Sequence, residues 1–316
     1  MNAAIVSKYG DLNEVSVREA PVPRREHGEV LVEITAASVN PLDVKLISGN
    51  MQGFFPLELP FVVGTDFSGI VAEAEETSSW KAGDRVYGRL EPFPAAGREY
   101  GRTGSLAKYV SVPVASLARV PEAVDLSTCA GLPTAAGTAW QALIETAHLC
   151  SGQTVLVHGG AGGVGGFAIQ FAKQAGARVI CTASKANLDY VESLGADVVI
   201  DYQTQDFSAR VNDVDVVLDT VGGKVQDKSF GVLRRGGDLL SIASPPAEEK
   251  AKASGVTAAF VFHKTDMARL DHIVSLFADG KLKVEVAETY PLVEAQAALT
   301  RVASGHTRGK LLVSPS

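Results

Sequence analysis

Val155-Leu156-Val157-His158-Gly159-Gly160-Ala161-Gly162-Gly163-Val164-Gly165 lies midway along the chain. A short apolar strand runs here into glycines at G-x-G-x-x-G spacing, Gly160, Gly162 and Gly165. The helix expected next carries Phe167, Ala168, Phe171, Ala172 and Ala175 on one face, with Gly176 as its stop. Glycine permits the tight strand-to-helix turn, and a backbone without side chains lets a pyrophosphate approach. Unpaired N–H groups at the helix start then meet the anion. The chain holds 31 glycines, so the spacing alone is weak. The strand before it, the helix after it and a second strand at Arg178–Thr182 make it specific. Gly160, Ala161, Gly162, Gly163, Val164 and Gly165 are therefore expected to bind a dinucleotide. Gly162 is expected to reject even a methyl group, through an unfavourable φ and through the approaching pyrophosphate.

The residues after the second strand select the cofactor. An NAD site usually carries a carboxylate there for the ribose 2′-hydroxyl. This chain reads Thr182-Ala183-Ser184-Lys185-Ala186-Asn187, with no acid before Asp189. A hydroxyl and a cation suit a 2′-phosphate, so NADP(H) is the expected cofactor, held by Ser184 and Lys185. The alternative has Ser184 capping a helix over Ala186–Leu194 and Lys185 solvated. Tyr202, at the end of the strand from Val198, can cover the adenine and reach the 2′-phosphate, or simply pack at the sheet edge.

With 46% hydrophobic and 21% charged residues among 316, the chain can bury one large or two smaller cores and shows no sign of disorder. The net charge of −7 and the lack of a dense Lys/Arg cluster argue against nucleic-acid binding. No apolar run approaches the roughly 18 residues of a membrane span, and no signal peptide is read at Met1-Asn2-Ala3-Ala4. A cytoplasmic location is expected. Cys129, Cys150 and Cys181 are far apart, which disfavours a disulfide framework and a cysteine-rich zinc site.

The first ~120 residues read as short strands punctuated by Gly and Pro, among them Glu29–Ala36, Ile70–Glu73 and Lys108–Val112. A helix is expected around Thr138–Ala147. Strands at Thr154–Val157, Arg178–Thr182, Val198–Tyr202, Val214–Asp219 and Asp238–Ile242 then alternate with helices near Gly165–Ala175, Ala186–Leu194 and Val225–Leu233. Such alternation predicts right-handed crossovers and a doubly wound parallel sheet. A helix over Thr265–Ala278 and a strand–helix–strand tail over Leu282–Ala287, Val293–Val302 and Gly309–Val313 complete the chain.

Several segments together resemble the medium-chain dehydrogenase/reductases, in their zinc-independent quinone oxidoreductase (zeta-crystallin-like) branch. They are Ala3-Ala4-Ile5-Val6 with Tyr9-Gly10, Ser38-Val39-Asn40-Pro41-Leu42-Asp43, Val63-Gly64-Thr65-Asp66-Phe67-Ser68-Gly69 and Gly83-Asp84-Arg85-Val86. Gly137-Thr138-Ala139-Trp140-Gln141-Ala142-Leu143, the glycine loop and Val217-Leu218-Asp219-Thr220-Val221-Gly222-Gly223 extend the match over almost the whole length. The resemblance implies an α/β architecture with a GroES-like, β-rich catalytic domain over 1–121 and a Rossmann NADP-binding domain over 122–264. A tail over 265–316 would return to the first domain, and the protein would be a homodimer.

The resemblance also bears on metal. Zinc-dependent relatives carry Cys where this chain has Asn40, and Gly-His-Glu where it has Gly64-Thr65-Asp66; no cysteine-rich lobe lies between Leu90 and Gly104. No metal is expected. Without a Lewis acid, hydride transfer from NADPH to a quinone or an α,β-unsaturated carbonyl is the easier chemistry. The family places Asn40 and Asp43 beside nicotinamide and substrate, although Asp43 can equally cap a short helix through Ile47. Lys45 stands where relatives often carry Tyr or Lys and is either a proton donor or a surface charge. Thr138 matches a threonine facing the nicotinamide side. Thr220 and Val221 end one strand, Ser241 and Ala243 the next, at the edge where doubly wound sheets bind ligands. Phe262 and His263 are implied near the carboxamide, and Lys310 either reaches the cofactor or is a surface strand charge. Two other functions are weighed: an enoyl-thioester reductase, and a non-catalytic NADPH-binding sensor or structural protein. Phe54, Phe55 and Phe61 are candidate pocket-lining side chains.

Overall fold

Thr154–Val157 sits inside a six-stranded sheet in which every neighbouring pair runs parallel. The computed structural model describes residues 1–91 and 104–315, so most of the segment read as lacking a cysteine-rich lobe lies outside the described residues. Two compact units form: residues 135–264, and residues 1–134 together with 265–316.

In the 135–264 unit the strands lie in the order Val198–Asp201, Arg178–Ala183, Thr154–Val157, Val214–Asp219, Leu233–Ser241, Thr257–Phe260. In chain order this is third, second, first, fourth, fifth, sixth, the arrangement of doubly wound dinucleotide-binding sheets. The order reverses between Thr154–Val157 and Val214–Asp219, so the turns that follow these two strands flank the switch point. The first strand is buried on both faces from Val155 to Val157, which is why it reads as a continuous apolar run. The helix Gly163–Gln174 buries Phe167, Ala168, Phe171 and Ala172, and the Phe171 ring meets Trp140 edge-on at 5.1 Å. Ala175 is its C-cap, and Gly176 leaves it at φ +80°, as the stop signal required.

Several boundaries differ from expectation. The helix expected at Thr138–Ala147 begins earlier, at Pro133, whose missing N–H suits a first helical position, and runs to Trp140. It continues as a π-helical stretch over Gln141–Thr146, where the Thr146 hydroxyl donates to the Gln141 carbonyl. The helix expected from Ala186 begins as a 3₁₀ turn at Lys185–Asn187 before the α-helix Leu188–Ser193. Gly223–Ser229 replaces Val225–Leu233, because Leu233 already starts a strand.

The other unit carries a seven-stranded sheet. Val286–Pro291, Lys310–Ser314, Glu29–Ser38, Asp66–Glu73, Arg85–Arg89 and Leu117–Arg119 follow one another, with Tyr109–Pro113 also paired to Glu29–Ser38. Leu312 opposes Ser38 and Val313 opposes Ala37, a register that carries Lys310 past the end of the strand leading to Asn40. A smaller sheet joins Val15–Glu19, Asn2–Val6 and Phe61–Val62. Phe61 and Phe55 are buried, Phe61 beside the Tyr9 ring at 6.5 Å, so both belong to the core and only Phe54 stays exposed.

Candidate functional sites in the two units

Within the unit holding both termini, Asn40 lies two residues past the strand Glu29–Ser38 and is the N-cap of the helix Pro41–Ile47. The Asp43 carboxylate reaches back and accepts the Asn40 backbone N–H at 2.8 Å, satisfying a donor the helix itself leaves open. Asp43 thus supports the turn that presents Asn40. The Asn40 side chain is buried and fully committed. Its amide nitrogen donates to Asp66 Oδ2 at 3.0 Å and to Thr65 Oγ1 at 3.4 Å. Its oxygen accepts from Lys310 Nζ at 2.5 Å, and the same ammonium donates to the Val39 carbonyl at 3.3 Å.

Asp66, wholly buried, also accepts the backbone N–H of Thr134 at 3.2 Å and the Thr134 hydroxyl at 2.6 Å. Thr134 Oγ1 in turn accepts from Arg89 Nε at 3.0 Å, and Arg89 pairs with Glu91 at 2.7 Å. A chain of hydrogen bonds and ion pairs, buried at Lys310, Asn40, Asp66 and Arg89 and half-buried at Thr134 and Glu91, therefore links these six residues. Burial pulls the Lys310 pKa below that of an ordinary lysine, against the opposing pull of Asp66 and Asp43. For Glu91, burial raises the pKa, but Arg89 and the bonds from Thr265 outweigh it and leave the group lowered. Lys45 lies half-buried on the same short helix.

Within the 135–264 unit, the glycine turn leaves the helix Gly163–Gln174 with Gly162 as N-cap and no side-chain cap. The first-turn N–H groups of such a helix have no intrahelical acceptor, and a phosphate is a suitable one. Gly160 N–H donates to the Thr182 carbonyl at 2.9 Å, tying the loop to the neighbouring strand. Gly162 departs from the sequence expectation. Its φ is −73°, and an added Cβ would meet only Gly159 O at 3.4 Å, an ordinary contact. The crowded glycine is Gly165, whose Cβ would overlap the Gly159 carbonyl oxygen and lie 2.9 Å from Gly160 Cα.

Ser184 makes no side-chain cap; its oxygen accepts from Asn187 Nδ2 at 3.0 Å. Lys185 is exposed, and Tyr202, half exposed, follows the edge strand with its N–H on the Ala183 carbonyl at 3.2 Å. These three residues thus gather at the ends of adjacent strands. Thr220 donates to the His158 carbonyl at 2.8 Å, and Val221 is exposed. Ser241 points inward, donating to Asp219 Oδ2 at 2.9 Å, while Ala243 and Phe262 are half-buried. Thr138 is buried. The His263 ring lies against Gly137, where any Cβ would collide with it.

Three residues that order these turns were absent from the sequence-derived site. Asp219 accepts the N–H groups of Val221 and Gly222 at 2.9 and 2.8 Å and a bond from Gln226 at 3.1 Å. The Asp-x-x-Gly spacing of Asp219 and Gly222 is a legible turn signal for this. Gln141 holds the Phe262 carbonyl and the Lys264 N–H, both at 3.0 Å, an arrangement with no sequence signature.

Comparison with known proteins agrees with this architecture. Residues 26–122 match the alcohol dehydrogenase GroES-like domain model, and residues 194–313 match a model described as zinc-binding dehydrogenase. The chain is 31% identical, over all of its own length and 80% of the other's, to an Arabidopsis thaliana protein called NADPH-dependent alkenal/one oxidoreductase, chloroplastic. The quinone oxidoreductase from Coxiella burnetii superposes with a TM-score of 0.90 at 32% identity, covering 100% of this chain and 99% of that one. The chain belongs to the quinone oxidoreductase branch of the medium-chain dehydrogenase/reductases. Another similar structure, the Escherichia coli quinone oxidoreductase in complex with NADPH, matches at TM-score 0.89 and 26% identity.

 That alignment spans 100% of both chains. Among the described residues of the present chain, no group of three or more His, Cys, Asp or Glu side chains is placed to hold a metal, and no helix is long and apolar enough to cross a membrane.

Proposed function

We propose that the chain is an NADPH-dependent oxidoreductase that reduces quinones or α,β-unsaturated carbonyls without zinc. The observation that carries this reading is the phosphate-binding set of the 135–264 unit: an uncapped helix start behind the glycine turn, with Ser184, Lys185 and Tyr202 gathered nearby and no acid at the ribose position. The similarity to the Arabidopsis NADPH-dependent alkenal/one oxidoreductase and to the Escherichia coli quinone oxidoreductase complexed with NADPH supports the cofactor and the substrate class. NADPH, when bound, supplies the hydride. In this reading the glycine loop holds the pyrophosphate. Thr138, Thr220, Val221, Ser241, Ala243, Phe262 and His263 line the path of the cofactor, Ser241 through its backbone because its hydroxyl serves Asp219. Asn40 orients the nicotinamide or acceptor, with Asp43 supporting its turn, and Lys45 is the candidate proton donor.

Zinc does not fit the residues present. Asn40, Thr65 and Asp66 offer no thiolate or imidazole, and their polar atoms are engaged with one another, with Thr134 and with the Lys310 ammonium. A second cation there would face the buried charge of Lys310. Its ammonium is committed to Asn40 and Val39, so its part in cofactor binding is proposed as indirect, through Asn40. Stopped-flow oxidation of bound NADPH by a panel of quinones and enones, with a strong chelator present, tests the whole reading. Turnover that survives the chelator is expected. Binding without turnover for every acceptor points to a sensor, and activity lost on chelation and restored by zinc rejects the metal-free assignment.

Lys185→Ala is expected to raise the KM for NADPH by about one to two decades while leaving that for NADH nearly unchanged. This is the equivalent of roughly 1.5–3 kcal/mol for a charge-assisted contact to phosphate. Steady-state kinetics with both cofactors decide it, since equal effects would mean that Lys185 does not read the 2′-phosphate. A homodimer and a cytoplasmic location complete the proposal. The outer edge of Thr257–Phe260, with Phe260 39% exposed, is available for pairing with a second copy. Sedimentation and cell fractionation read these two points, and a monomer or an organellar protein would refute them.

A further inference from the structure

His158 directly follows the first strand of the parallel sheet, Thr154–Val157, immediately before Gly159, and is almost fully buried. Its Nε2 lies 3.0 Å from Ser229 Oγ and its Nδ1 lies 3.2 Å from Thr182 Oγ1. The directions of these bonds follow from their neighbours. The Ser229 hydroxyl has one hydrogen and donates it to the Val225 carbonyl at 2.7 Å, so its oxygen accepts from His158. Nε2 therefore carries the proton. The ring is neutral, because burial lowers its pKa to about 4 although Asp219 pulls it upward. Nδ1 is then an acceptor, and the Thr182 hydroxyl must donate to it. With its hydrogen so directed, Thr182 Oγ1 presents a lone pair to the Gly159 N–H at 3.2 Å.

We propose that His158 is a positioning residue for the cofactor loop. As the Nε2–H tautomer, it polarises a one-way hydrogen-bond chain. One arm runs from Gly159 N–H through Thr182 to Nδ1, and the other from Nε2–H through Ser229 to the Val225 carbonyl. The chain fixes the first amide of the glycine turn and joins it to the helix Gly223–Ser229. Gly159 has φ +66°, and its carbonyl accepts the Gly162 N–H at 3.0 Å, so its orientation sets the path of the loop up to the helix start. An edge-on contact with the Phe207 ring, centroids 4.5 Å apart, limits rotation of the imidazole. The inference rests on the reading that this loop receives the pyrophosphate of NADPH.

Two measurements test it. A long-range ¹H–¹⁵N correlation spectrum of the native chain at pH 7, with His158→Asn used to assign the ring, is expected to show a neutral Nε2–H imidazole. A charged ring, or the Nδ1–H tautomer, overturns the proposal whether or not any variant folds. Fluorescence titration with NADPH gives the second readout. Thr182→Val and His158→Leu are each expected to weaken binding about tenfold. Thr182→Ser and His158→Asn restore the acceptor or donor at the same place and are expected to stay within about threefold of the native affinity. Unchanged affinity in folded Thr182→Val, with the native chain binding NADPH, rejects the positioning role and leaves the cofactor reading intact. A native chain that does not bind NADPH removes both.

Discussion

Asp66→Ala is expected to lower the melting temperature by on the order of 10 °C, reflecting a loss of roughly 3–5 kcal/mol. Asp66 is wholly buried and takes three hydrogen bonds, two from Thr134 and one from Asn40. It is also one of the two carboxylates that hold charge on the buried Lys310. Removing it leaves that ammonium with less compensation and leaves donors of Thr134 and Asn40 without their acceptor, so the loss exceeds that of a single neutral hydrogen bond. Part of this loss is a coupling with the lysine. Lys310→Met is expected to destabilise on its own, and the double variant Asp66→Ala/Lys310→Met should lose measurably less than the sum of the two. Thermal or urea unfolding of the four proteins closes the cycle. Strict additivity would show that Asp66 and Lys310 do not act as a charge pair.

Gly165→Ala is expected to destabilise the chain by about 3 kcal/mol and to weaken NADPH binding by tenfold or more. The added Cβ would be driven into the Gly159 carbonyl oxygen and would lie 2.9 Å from the Gly159 carbonyl carbon and from Gly160 Cα. These are backbone atoms, so the strain is relieved only by moving the helix away from the turn. Gly162→Ala makes the informative partner. With φ −73° and an ordinary 3.4 Å contact, it should fold with a stability within about 1 kcal/mol of the native chain. Any loss of affinity there reports the approach of the ligand itself. Unfolding curves and NADPH titrations of both variants separate the two cases: a stable Gly165→Ala would contradict the packing argument, and undiminished affinity in folded Gly162→Ala would mean that the pyrophosphate lies elsewhere.

The contrast between these glycines marks a limit of motif reading. G-x-G-x-x-G locates the turn, but it does not say which glycine is required by the ligand and which by the packing of helix on strand. That distinction depends on where each Cβ vector points. Ser184 is similar: its place before a helix suggested a cap, yet its oxygen accepts from the Asn187 side chain because the helix opens with a 3₁₀ turn. Lys310 reads in the sequence as either a surface charge or a cofactor contact; burial rules out the first, and its ammonium bonds to Val39 and Asn40.

The sequence by itself determined the doubly wound parallel sheet, the position of the dinucleotide turn and the lack of an acid at the ribose position. Each of these is written in contiguous residues: apolar runs such as Val155–Val157, helical spacing such as Phe167 and Phe171, and glycines where the backbone must turn. Only the tertiary structure decided that Lys310, Asn40, Asp66, Thr134 and Arg89 form one largely buried network, and that His158 looks to Thr182 and Ser229. These contacts join residues up to 271 positions apart, as between Lys310 and Val39. Local periodicity carries no information about such partners. They are fixed by strand register, and by the requirement that every buried charge and polar atom find one.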